Sequence, residues 1–126
     1  MIRKTWTLMV AAALLAGAPP ALAKEPVPTK IGACVTTTVK EIGSRLDGMP
    51  DSGSAIEYTD GLYQVSYDMV PGIAHSRAGD KINICLKELP QDCPKGDNRG
   101  KVYQATNLRT HKSWVAPDSE HSCGGA

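Results

Sequence analysis

The residues of this chain whose types could do chemistry are three histidines, four cysteines and a serine-rich run. His75, His111 and His121 could in principle act as general bases. No serine, however, sits in the Gly-x-Ser-x-Gly turn that presents a nucleophile, and a loop histidine in a small domain is ordinarily solvated surface. Without a recognisable nucleophile, base and orienting group the chain is not expected to be an enzyme, and no cofactor is expected. Cys85 and Cys93 form a Cys-x7-Cys spacing with no second pair nearby, a poor fit to zinc-finger patterns. His121 and Cys123 lack further ligands within reach in the sequence. The aspartates at 47, 51, 60, 80, 92 and 97 do not fall at calcium-loop spacing, so no metal is expected. What remains is Pro50-Asp51-Ser52-Gly53-Ser54-Ala55, a stretch of small residues carrying two hydroxyl donors. A hydroxyl that donates to an ionised carboxylate makes a charge-assisted bond of about 1.5–3 kcal/mol.

The element that must position this run follows it directly. Residues 62–69 read as a strand, with Tyr63, Val65, Tyr67 and Met69 on one face and Gln64, Ser66 and Asp68 on the other. Between the serines and this strand lies Thr59-Asp60-Gly61, where Asp-Gly supplies the positive backbone angles of a tight hairpin turn. The spacing predicts a serine loop hung on a hairpin, with strands near Ser54–Thr59 and Leu62–Met69.

Residues 1–23 read as a signal peptide: Arg3 and Lys4, then an apolar run from Leu8 to Leu15, then Ala21-Leu22-Ala23 as the cleavage pattern. The run is shorter than the roughly 20 residues of a membrane span, so a soluble exported protein beginning at Lys24, in the periplasm, is expected. The mature chain is about 100 residues, one small domain. Removing Arg3 and Lys4 from the 14 Lys and Arg leaves 12 against 13 Asp and Glu, a net charge of about −1. Nucleic-acid binding, which goes with a strongly basic domain, is not expected.

Residues 24–33 are proline-rich and charged at first, and read as a mobile leader. Residues 34–126 read as a single all-β domain. Cys34–Lys40 is rich in β-branched residues and predicts a strand. Glu41–Met49, broken by Gly43 and Gly48, predicts at most a turn of helix. Val70–Gly79 predicts a loop. Asp80–Glu88 alternates Ile82, Ile84 and Leu86 against polar neighbours, a half-buried strand. Lys101–Thr106 and Ser113–Ala116 predict two more, with Trp114 in the core. The charged turns Asp97–Gly100 and Asn107–Lys112 read as solvated. Short strands, frequent turn residues and no long 3.6-residue period predict a small antiparallel β-barrel or sandwich stapled by disulfides. Four cysteines in an exported chain allow three pairings. The expected one is Cys34–Cys123 with Cys85–Cys93, the first closing a loop of about 90 residues for about 4 kcal/mol and the second pinning the loop around Pro90.

The run Ser52-Gly53-Ser54-Ala55-Ile56-Glu57-Tyr58-Thr59-Asp60-Gly61-Leu62-Tyr63 resembles the signature of the membrane-bound and periplasmic inhibitors of c-type lysozyme. That family carries a Ser-x-Ser-Gly-like loop, a Tyr soon after, then x-Asp/Asn-Gly-x-aromatic. The resemblance implies an exported antiparallel β-barrel with a disulfide joining its first and last parts, as Cys34–Cys123 would. It implies inhibition by insertion: Ser52 and Ser54 entering the enzyme cleft to bond its catalytic carboxylates, braced by Tyr58, Asp60, Gly61 and Tyr63. The family's later Trp and Lys-Gly are missing here, where Gln64–Asp68 stands instead. A basic contact would have to come from Arg77, Arg99, Arg109 or Lys112, and the sequence selects none of them.

The function expected on these grounds is inhibition of a peptidoglycan-cleaving muramidase, either a c-type lysozyme or one of the cell's own. A structural or assembly protein of the cell envelope, with no enzyme target, is the alternative from another class. Glycan binding through Trp114 and the tyrosines is a third.

Overall fold

The protein is described by a computed structural model covering residues 26–125. The expected signal peptide, its cleavage site after Ala23 and the first leader residues lie outside the described residues. Among the described residues the strands are β1 (Cys34–Leu46), β2 (Met49–Tyr58), β3 (Tyr63–Ser66), β4 (Lys81–Glu88), β5 (Val102–Asn107) and β6 (Ser113–Pro117), and a short helix, α1, is Pro71–Ala74. All six strands join one antiparallel sheet in the order β3-β2-β1-β4-β5-β6. The all-β expectation holds. Among the described residues no helix is long and apolar enough to cross a membrane, which says nothing of spanning by strands.

The core forms where alternation is strict. Ile82, Ile84 and Leu86 of β4 are all fully buried, and Tyr103 and Ala105 of β5 and Trp114 and Ala116 of β6 continue that inner face. Each buried Ile or Leu contributes about 1.5–3 kcal/mol of transfer free energy. Helix α1 is laid against this face by Gly72, where a Cβ would come within 2.5 Å of the Trp114 ring. The leader is not wholly free. Pro28 is buried, Val27 packs on the core, and the Gly32 amide donates to the Leu86 carbonyl at 2.9 Å.

Three expectations are corrected here. Glu41–Met49 is not a helical turn: β1 runs unbroken through Gly43 to Leu46 because pairing with β2 overrides the local glycine preference. The tight turn is Asp47-Gly48, with Gly48 at φ +73°. Pro50–Ala55 is not a loop but most of β2. The disulfides are Cys34–Cys85 and Cys93–Cys123, neither of them the expected pair. Cys34 and Cys85 are direct partners in the β1–β4 register, so the bridge ties neighbouring strands rather than the chain ends. Cys93–Cys123 clasps the tail to the irregular loop before β5. There the Gly124 amide donates to Asp97 Oδ2 at 3.0 Å and Arg99 forms an ion pair with Asp97 at 2.9 Å.

The face assignment of β3 also changes. Gln64, expected opposite the apolar set, is fully buried, while Tyr67 and Met69 lie past the strand end and are exposed. Gln64 uses its whole hydrogen-bonding capacity in the core. Its Oε1 accepts from the Tyr58 hydroxyl (2.6 Å) and Trp114 Nε1 (3.0 Å), and its Nε2 donates to the Tyr103 and Ala116 carbonyls, both at 3.0 Å. One amide thus links β2 and β3 to β5 and β6 across the interior of the curled sheet. Burial holds the Tyr58 hydroxyl far above its ordinary pKa, against the opposing effect of the Trp114 hydrogen bond.

A candidate binding groove on the outer face

The residues singled out in the sequence do not form one exposed site. Ser54 is buried, its Oγ donating to the Asp68 carbonyl (3.0 Å) and accepting the Val70 amide (2.8 Å). The Ser52 hydroxyl donates to the Met49 carbonyl (2.6 Å) and accepts the Leu46 amide (2.9 Å), closing the β1–β2 hairpin. Both hydroxyl protons are therefore engaged within the chain. Gly53, at φ +128°, does not slim a loop; it lets β2 approach β3, since a Cβ there would collide with the Ser66 carbonyl oxygen. Tyr58 lies in the core. Asp60 Oδ1 accepts the Leu62 amide at 3.0 Å, and Gly61, φ +91°, completes a three-residue turn. These two shape the hairpin turn.

Of that set only Tyr63 reaches a concave surface. Register places Glu41 opposite Glu57 and Glu57 opposite Tyr63, one row across β1, β2 and β3. The next row on the same face is Gly43, Ala55 and Val65. Gly43 is exposed, and a Cβ on it would meet nothing within 4 Å. Gly43 and Ala55 of this row thus floor a groove of about 500 Å³ between taller side chains, with Asp47 and Arg45 at one end. Arg45 is held three ways: Nε donates to the Ser52 carbonyl at 2.7 Å, Nη1 pairs with Glu120 of the tail at 3.0 Å, and the guanidinium lies 4.1 Å from the Tyr67 ring centroid.

The groove is electrostatically negative. Arg45 is already neutralised by Glu120, and Lys40 reaches Glu57 at 3.2 Å from an exposed position, while Glu41 and Asp47 form no ion pair among the described residues. The Tyr63 hydroxyl registers this field: its pKa is raised first by burial, then by Glu120, Asp47 and Glu57. Beside the groove, the hairpin end and the segment after β3 expose Leu46, Met49, Tyr67 and Met69, the last three by more than half. Exposed Tyr and Met side chains are enriched at protein-binding surfaces, and carboxylates beside them favour a partner of complementary charge. Among the described residues no group of three or more His, Cys, Asp or Glu could hold a metal ion.

The basic contacts considered from the sequence lie elsewhere. Arg109 grips buried Asp80 through Nε (2.7 Å) and Nη2 (2.9 Å), and Asn107 Nδ2 adds a third bond at 2.9 Å. The turn Asn107–Lys112, read as solvated, therefore anchors the loop after α1 to the end of β5. Asp80 is held well below the ordinary carboxylate range, chiefly by Arg109. Arg45, the cation beside the groove, was not among the basic residues weighed in the sequence; only the Asp-Gly pair at 47–48 would have placed it on a hairpin arm.

No family model, curated protein or solved structure matches this chain.

Proposed function

We propose that this protein acts by binding, as an exported inhibitor of a peptidoglycan-cleaving muramidase, and that the enzyme is held on the outer face of β1, β2 and β3. The observation that carries the reading is the groove itself: a floor of small residues, a row of Glu41, Glu57 and Tyr63, and an exposed apolar rim at the hairpin end. Such a surface suits a partner that presents cationic side chains ringed by apolar ones. The muramidase as target comes from the resemblance of Ser52–Tyr63, and two disulfides suit an oxidising compartment. The mode differs from serine insertion. Ser52 and Ser54 support the hairpin, and contact falls to Glu41, Asp47, Glu57, Tyr63 and the rim.

The test is a titration of lysis. The mature chain, Lys24–Ala126, is added to a c-type lysozyme and to the cell's own muramidases acting on a cell-wall suspension. Stoichiometric loss of lysis is expected, weakened by the double substitution Glu41→Lys with Glu57→Lys and by salt. Undiminished lysis with every enzyme at molar excess of the protein overturns the reading.

A further inference from the structure

Strand β1 sits in the middle of the sheet order, yet β4 pairs with its first part and β2 with the rest, so along most of its length it is paired on one side only. Its pairing with β4 covers Cys34–Thr38, extended by the Val39 amide to the Asp80 carbonyl and the Gly79 amide to the Val39 carbonyl, both at 2.9 Å. The chain before β4 then turns away into α1. From Glu41 to Leu46, β1 pairs with β2 alone, and no strand of the described residues lies along its other side.

The hydrogen-bonding direction along this edge follows from one contact and the register of the three strands. The Tyr58 amide donates to the Leu62 carbonyl, so Tyr58, and with it Ile56, points its main chain toward β3. Glu57 and Ala55 therefore point toward β1 and bond Glu41 and Gly43, their register partners. By alternation, Ile42 and Ser44 turn their N–H and C=O groups outward, away from β2. A main-chain donor and acceptor pair at each of two alternate residues is the template on which an extended peptide adds as a strand.

We propose that this edge is a docking site for an extended, basic segment of a partner protein, added as a strand beside Glu41–Leu46. On the outer face the added side chains would lie beside Glu41, in the groove that Asp47 also lines and where Arg45 is already paired with Glu120, which favours lysine or arginine at alternate positions. On the other face they would lie beside Ile42 and Ser44, which favours β-branched residues. The inference deepens the proposed function by naming what part of a partner is gripped. It rests on that reading only for the partner's identity.

The experiment uses the full mature chain and a short synthetic peptide alternating lysine and valine, with no muramidase present, so it succeeds or fails apart from the inhibition assay. Amide exchange read by NMR is expected to slow at Ile42 and Ser44 when the peptide is added. A peptide alternating glutamate and valine should bind about tenfold more weakly or worse, the scale of a like-charge juxtaposition. Ser44→Pro removes one outward N–H without touching the ladder to β2 and should weaken binding about tenfold. Glu41→Lys, which leaves the backbone alone, should do the same by charge. The proposal is overturned by unchanged exchange at Ile42 and Ser44 or by equal binding of both peptides. It is also overturned if their protection rises with protein concentration in the absence of peptide, which would make a second copy the occupant.

Discussion

Gln64 on β3 donates to the carbonyl of Ala116 on β6 at 3.0 Å, although the sheet order places these two strands at opposite edges. A single side chain does there what a strand pair does elsewhere. Removing it should leave a buried indole N–H, a phenol and two carbonyls short of a partner. Gln64→Ala is therefore expected to cost about 3 kcal/mol or more. Gln64→Glu, nearly the same shape, should also destabilise at neutral pH, because it puts a charge in the core and loses the two donated bonds. Urea unfolding followed by the fluorescence of Trp114 would measure both.

Acid should act through Asp80 and Asp97. Both carboxyls are held below their ordinary range, Asp80 first by Arg109 and Asp97 first by Arg99. A depressed folded-state pKa gives stability that is complete above the unfolded value of about 3.9 and is lost as pH falls below it. The urea midpoint should hold steady at neutral pH and drop as pH falls from about 5 toward 2. Asp80→Asn should lower the neutral midpoint and flatten the drop.

At the alkaline end the sign reverses. Burial raises the hydroxyl pKa of Tyr58 well above its ordinary value and pushes that of Tyr103 up to about 12. Stability from these groups is complete below about pH 10 and is lost as pH climbs through the folded values. Phenolate absorbance from these two residues should therefore appear together with unfolding. Its appearance while the fold is intact would contradict their burial.

The two serines should separate in stability rather than in binding. Ser54→Ala leaves the Val70 amide without its acceptor in a part-buried setting, an expected cost of about 1–3 kcal/mol. Ser52→Ala, at a half-buried hairpin end, should cost about 1 kcal/mol. Neither is expected to change partner affinity once the protein is folded, which denaturation and titration on the same samples would establish.

What could be read from the sequence was what is local. The alternation Ile82-x-Ile84-x-Leu86 gave a strand and its buried face, and Asp60-Gly61 gave a turn, though of three residues rather than two. What was missed depends on distant pairing. Gly43 looks like a breaker until β2 is laid against it, and Ser52–Ala55 looks like a loop because serine and glycine are turn residues everywhere except where a ladder forms on both sides. Gln64 fitted a polar face by type and was claimed by the core through three partners 39 to 52 residues away. The disulfides follow the register of Cys34 with Cys85, which no spacing rule supplies.

The most direct test of the account is to map the contact. Amide NMR spectra of the mature chain, recorded with and without a c-type lysozyme, should show the largest changes over Glu41–Asp47, Glu57 and Tyr63, with Ser54 unaffected. Changes centred on Ser52–Ser54 with Glu41 and Glu57 silent would contradict the groove as the binding surface.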